Sequence, residues 1–174
     1  MSLLQRLFGN SGPDPKLGRL DLYNQVVAKA RGPHWYVEGQ VPDTVDGRFD
    51  MVAIILTLVL LRLEQDNSHG PDMAHLTELF VDDMDGQLRE LGIGDMIVGK
   101  HIGKMMGSLG GRLGAFRDAM VNTDQLDDVI LRNLYRGDGP DKQGLAHVRA
   151  QITDLVGRLE ANSADEIVKG SAQW

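Results

Sequence analysis

The chain has 174 residues, a length that one ordinary domain takes, and its 42% hydrophobic and 25% charged residues mark a sequence that packs a core rather than a disordered one. It contains no cysteine, which excludes disulfides, thiol nucleophiles and thiolate metal sites and suits a reducing cytosol. A net charge of −7 argues against general nucleic-acid binding and direct DNA binding, because neutralising phosphates needs a basic surface.

The opening residues, Met1 to Phe8, are too few for the apolar region of a secretory signal and lack a small-residue cleavage site. Leu3, Leu4, Leu7 and Phe8 are spaced for one amphipathic turn at a membrane surface, or for a frayed terminus. Residues 1–15 are expected to form a short flexible segment, and 16–174 a single all-helical domain. Leu20, Tyr23, Val27 and Ala30 make a first helical stripe that Gly32-Pro33 ends. Val41-Pro42-Asp43-Thr44 reads as a turn, with Thr44 or Asp46 as N-cap of the next helix. The longest apolar run, Met51 to Leu61, falls short of the roughly 20 residues that span a bilayer, which makes it a buried core helix.

After Pro71 the stripe is Met73, Leu76, Phe80, Met84, Leu88 and Leu91, and after Asp95 it is Val98, Ile102, Met105, Leu109, Leu113, Phe116 and Met120. Leu126, Val129, Ile130 and Leu134 form a short stripe before the loop Gly137-Asp138-Gly139-Pro140. Leu145, Val148, Ile152, Leu155 and Leu159 form a last long one. Asn122 with Gln125 and Ser163 with Glu166 have capping-box spacing. No run alternates apolar and polar residues. The fold class is all-α: a single compact multi-helix domain of about six to eight helices with essentially no sheet.

Catalytic and metal constellations are weak. Asp83, Asp85 and Gly86 look like part of a calcium loop, but aligning Gly86 with its invariant glycine puts Val81 and Gly92 where two ligands belong. Asp72, His75, Glu78 and Asp82 share a helical side and raise a helical metal-dependent hydrolase, whereas a solvated polar face explains them more simply. No Gly-x-Ser-x-Gly elbow surrounds Ser108, and Gly92-Ile93-Gly94 lacks a dinucleotide fingerprint. No cofactor is expected.

Two features of the segment 95–121 stand apart. Gly99, Gly103, Gly107, Gly110 or Gly111, and Gly114 recur at steps of three and four, each costing about 1 kcal/mol relative to alanine inside a helix. Close helix–helix packing is one compensating reason, and a groove for a partner segment is the other. Charge is also segregated. From Glu64 to Asp95 nearly every charged residue is acidic, whereas Lys100, Lys104 and Arg112 are all basic. The two helices can pair their rims, or present a polarised surface to a charged partner. A translation-linked factor using Lys100, Lys104 and Arg112 on a ribosomal surface is a further reading.

The order Val41-Pro42-Asp43-Thr44-Val45-Asp46-Gly47-Arg48-Phe49-Asp50, Leu60-Leu61-Arg62-Leu63, Phe80-Val81-Asp82-Asp83-Met84-Asp85, Leu88-Arg89-Glu90-Leu91-Gly92-Ile93-Gly94-Asp95, Val98-Gly99-Lys100 and Gly111-Arg112-Leu113 resembles the ubiquinol–cytochrome c chaperone family. The resemblance implies a non-enzymatic all-α chaperone that binds newly synthesised cytochrome b while ubiquinol–cytochrome c reductase, complex III, is assembled. In the mitochondrial members it also implies a small partner protein and a ribosome contact. This chain resembles a compact bacterial member, acting in the cytoplasm and at most peripherally at the inner membrane. The partner-facing surface is expected at the acidic block and the start of the basic helix: Asp82, Asp83, Asp85, Arg89, Glu90, Asp95, Lys100 and Lys104. Met84, Met96, Met105, Met106 and Met120 supply adaptable apolar material, or simply core.

Overall fold

A computed structural model describes residues 14–90, 92, 95–136 and 139–174. The amphipathic turn expected at Leu3 to Phe8, and all of the N-terminal segment before Asp14, lie outside the described residues, as do Leu91, Ile93, Gly94, Gly137 and Asp138. Among the described residues the chain is all helix and turn, with no strand.

The apolar run becomes the axis of the fold. Thr44 caps the helix Val45–Glu64 by accepting from the Gly47 amide at 3.1 Å, so it is Thr44 rather than Asp46 that starts it. Every residue from Met51 to Leu60 is buried, as a helix apolar on all sides requires. A Cβ on Gly47 would lie 2.0 Å from the Pro42 carbonyl oxygen, so the turn and the first helical turn approach this closely only because residue 47 is glycine.

Around this axis pack α1 (Leu20–Ala30), α4 (Gly70–Glu90), α5 (Asp95–Val121), α6 (Leu126–Ile130) and α7 (Lys142–Glu160), the axial helix being α3 and Pro33–Tyr36 the short α2. A last turn, α8 (Ala164–Val168), carries the complete Ser163–Glu166 capping box. Asn122, with the same spacing, makes no side-chain cap. Leu76, Phe80 and Met84 of α4, and Leu109 and Phe116 of α5, are buried in the core that surrounds α3, and Leu88 and Val98 are buried outside that cluster. Among the described residues, no helix is long and apolar enough to cross a membrane.

The glycines of α5 overturn the close-packing explanation within this chain. A Cβ built on Gly99, Gly103, Gly107, Gly110, Gly111 or Gly114 meets no atom within 4 Å beyond its own helical turn. All but the partly buried Gly114 are exposed. The helix therefore carries a face without side chains, and among the described residues no neighbouring helix covers it. Gly103→Ala and Gly107→Ala should each raise stability by about 0.5–1 kcal/mol, through helix propensity alone. Urea denaturation checks this, and a loss of stability would mean that the added methyl group does meet a neighbour.

Candidate functional site

Between the start of α3, the end of α4 and the first half of α5 lies a groove of about 420 Å³. Val45 and Phe49 line it from α3, Met84, Gln87 and Leu88 from α4, and His101, Lys104, Met105 and Ser108 from α5. Asp46 and Arg136 complete its rim. The helical stripes explain why these side chains meet. Met84 and Leu88 are the last buried turns of the α4 stripe, and Met105 is half-buried on that of α5. The Phe49 ring stacks at a tilt on Phe80, 5.7 Å between centroids, and joins the groove to the core.

Behind Phe49 is a buried charge cluster. Asp50 is fully buried and receives hydrogen bonds from two arginines. Arg112, only 3% exposed, donates to Asp50, to the Ser108 hydroxyl and to the Asn133 carbonyl at 3.1 Å. Its guanidinium carbon lies 5.8 Å from the Phe49 ring centroid, within cation–π range, and its Nε is buried without a hydrogen-bond partner. Arg136 forks onto Asp50 at 2.8 and 3.0 Å and reaches Asp46 at 2.8 Å. Burial pushes the Asp50 carboxyl up against the pull of Arg136 and Arg112, and burial likewise pushes the Arg112 guanidinium down. Arg136 follows the π-helical turn Leu131–Tyr135 with φ of +50°, a left-handed backbone that costs a non-glycine residue on the order of 1 kcal/mol.

The residues singled out in the sequence separate into two groups. Asp82 and Asp83 bond to the N-terminal elements, and Asp85 to its own helix. Asp82 pairs with Lys16 at 2.6 Å on the 3-10 turn Pro15–Arg19, and raises the lysine's pKa by that contact. Asp83 accepts from the Tyr23 hydroxyl at 2.8 Å and from Gln87 at 2.9 Å, and burial together with the Asp83 charge pushes the Tyr23 phenol up. Asp85 pairs with Arg89 one turn on, at 2.6 Å, and Glu90 ends α4 exposed. Asp95 opens α5. Lys100 and Lys104 are exposed, and no carboxylate among the described residues forms an ion pair with either. Of the expected residues whose side chains are described, then, Lys104 alone lines the groove, and on the acidic rim of α4 Asp72 and Asp82 pair with the turn before α1.

Two further expectations change. Arg112 is buried, so it cannot share a basic surface with Lys100 and Lys104. Asp72, His75, Glu78 and Asp82 do not converge. Asp72 meets His69 at 2.7 Å and Arg19, whose hydrogen bonds outweigh burial and hold its pKa below the ordinary value. Among the described residues no three His, Asp or Glu side chains are grouped to hold a metal ion. Sequence reasoning missed Val45, Phe49, Asp50 and Arg136. A signal for part of it was present: Arg112 falls on the apolar register of α5, three after Leu109 and four before Phe116, where a charge is out of place.

The sequence model described as ubiquinol–cytochrome C chaperone matches residues 37–174, most of the chain and every residue of the groove. This chain belongs to the ubiquinol–cytochrome c chaperone family. It is 20% identical over 162 residues to the mouse (Mus musculus) ubiquinol–cytochrome c reductase complex assembly factor 1, a match that covers 91% of the chain and 55% of the mouse protein. The chain thus spans about half the length of that relative. The crystal structure of the Cbp3 homolog from Brucella abortus superposes with a TM-score of 0.80 at 27% identity, covering 99% of this chain and 96% of that one.

Proposed function

We propose that this member of the family is a non-enzymatic assembly chaperone of ubiquinol–cytochrome c reductase, that its client is newly synthesised cytochrome b, and that it works in the cytoplasm against the inner membrane. The observation that carries the proposal is the groove. A protein that holds an apolar client before assembly must keep apolar surface open, and Phe49, Met84, Leu88 and Met105 provide it beside a helix face bare of side chains. Unbranched methionines at two of those positions suit a client whose shape is not yet fixed. Within this reading the contact surface is the groove and its Lys104 rim, and Lys100, one turn back on the same helix, lies outside it. Asp82, Asp83, Asp85, Arg89, Glu90 and Asp95 are its outer border.

Deletion of the gene tests the reading. Cytochrome b and complex III should fall several-fold while the other respiratory complexes stay near their normal level, by immunoblot and haem spectra of membranes. Normal cytochrome b in the deletion strain would overturn it.

A further inference from the structure

The groove differs in charge from the molecule that carries it. The chain has a net charge of −7, yet Asp46, Lys104 and Arg136 on the groove lining, with the buried pair Asp50 and Arg112 behind Phe49, set two carboxylates against three cations. Both carboxylates are already occupied: Arg136 holds Asp46, and Arg112 and Arg136 share Asp50. Among the described residues no acid of α4 lines the groove: Asp82 pairs with Lys16, Asp85 with Arg89, and Asp83 accepts from Tyr23 and Gln87. Lys104 therefore stands at the lip of an apolar trough with no ion-pair partner among the described residues, the rim carboxylate Asp46 being held by Arg136, while Arg136 keeps half of its side chain exposed on the same rim. A carboxylate on an otherwise apolar segment loses hydration when it enters such a trough, a cost that charge-assisted hydrogen bonds offset and an apolar wall does not. A lysine or arginine on the segment meets the same trough with like charge at its lip.

Resting on the chaperone reading above, we propose that the groove selects an apolar client segment that carries an acidic side chain, with the carboxylate received by Lys104 and Arg136. The apolar walls supply affinity, and the cationic lip supplies the choice among segments of similar hydropathy.

The test uses the full chain and three fluorescent 18-residue helical peptides built of leucine, alanine and serine. They are identical except for a central Glu, Gln or Lys facing the apolar stripe, and binding is read by anisotropy. The Glu peptide should bind about tenfold more tightly than the Gln peptide, and the Lys peptide most weakly. In Lys104→Gln the preference should shrink to about twofold, whereas Lys100→Gln, one turn outside the groove, should keep it. Equal binding of all three peptides would overturn the selection while leaving an apolar client groove intact. A preference lost equally in Lys100→Gln would also overturn it, since general surface charge would then be responsible. If none of the three peptides binds, the groove itself is not the client site, and the reading it rests on fails with it.

Discussion

Asp50→Ala should lower the unfolding free energy by about 3–5 kcal/mol, because it leaves the buried Arg112 guanidinium with only a hydroxyl and a carbonyl as partners. That is a large part of the roughly 5–15 kcal/mol that holds an ordinary domain together. The urea midpoint should therefore move far to the left, with little change in slope. Asp50 and Arg112 lie 62 residues apart in sequence and tie the first turns of α3 to the middle of α5, directly behind the Phe49 wall of the groove. Taking two charges out of water is costly, so the pair need not be a net source of stability. Removing both is the informative control. Asp50→Leu with Arg112→Leu should recover most of the loss, and the coupling between the two sites should be several kcal/mol. A single-site loss below about 1 kcal/mol would mean that water reaches Arg112 and that the cluster is not buried as described.

The groove carries the second large effect. Val45 is 61% exposed at the first position of α3, where an acidic residue favours the helix dipole, so Val45→Glu should leave stability unchanged or slightly raised. Combined with Met105→Glu it places two carboxylates in the apolar trough. Client binding should then fall about thirtyfold, the cost of losing an interface centre worth about 2 kcal/mol. The measurement is capture of the client by the purified variant against the unaltered chain, with thermal melting run in parallel. Unchanged capture by a folded variant would place the client elsewhere on the molecule.

Much of the architecture is legible in the sequence because it follows from short-range periodicity. The α4 stripe through Leu76, Phe80, Met84 and Leu88 is buried as its spacing requires, and so is the apolar run from Met51 to Leu60, with Leu61 only partly buried at its end. In α1 the register is less well determined. Leu20-Tyr23-Val27-Ala30 and Leu22-Tyr23-Val26-Ala30 are both acceptable stripes, and only packing against α3 selects the second, leaving Leu20 39% exposed. The glycines of α5 are ambiguous for a related reason: their spacing marks a face, and only the positions of the other helices show that the face is bare. The charge cluster escaped almost entirely. Asp50 and Arg136 are 86 residues apart, and no local pattern records which acid a distant arginine will meet. The segregation of acidic and basic residues is legible, but it leaves rim pairing of α4 with α5 and a polarised surface equally open and does not say which cations the acids of α4 meet. Lys16 and Arg19, on a turn with little periodicity of its own, take Asp82 and Asp72. Family membership came from the motif order, which spacing and charge alone do not supply.

The most direct test of the central claim is in-cell crosslinking of a tagged chain carrying a photoreactive residue in place of Val45, followed by affinity capture and identification of what is attached. The account predicts a crosslink to cytochrome b, enriched without the subunits of mature complex III and lost in Met105→Glu. A capture free of cytochrome b, from respiring cells in which the tagged chain is functional and efficiently recovered, would contradict it.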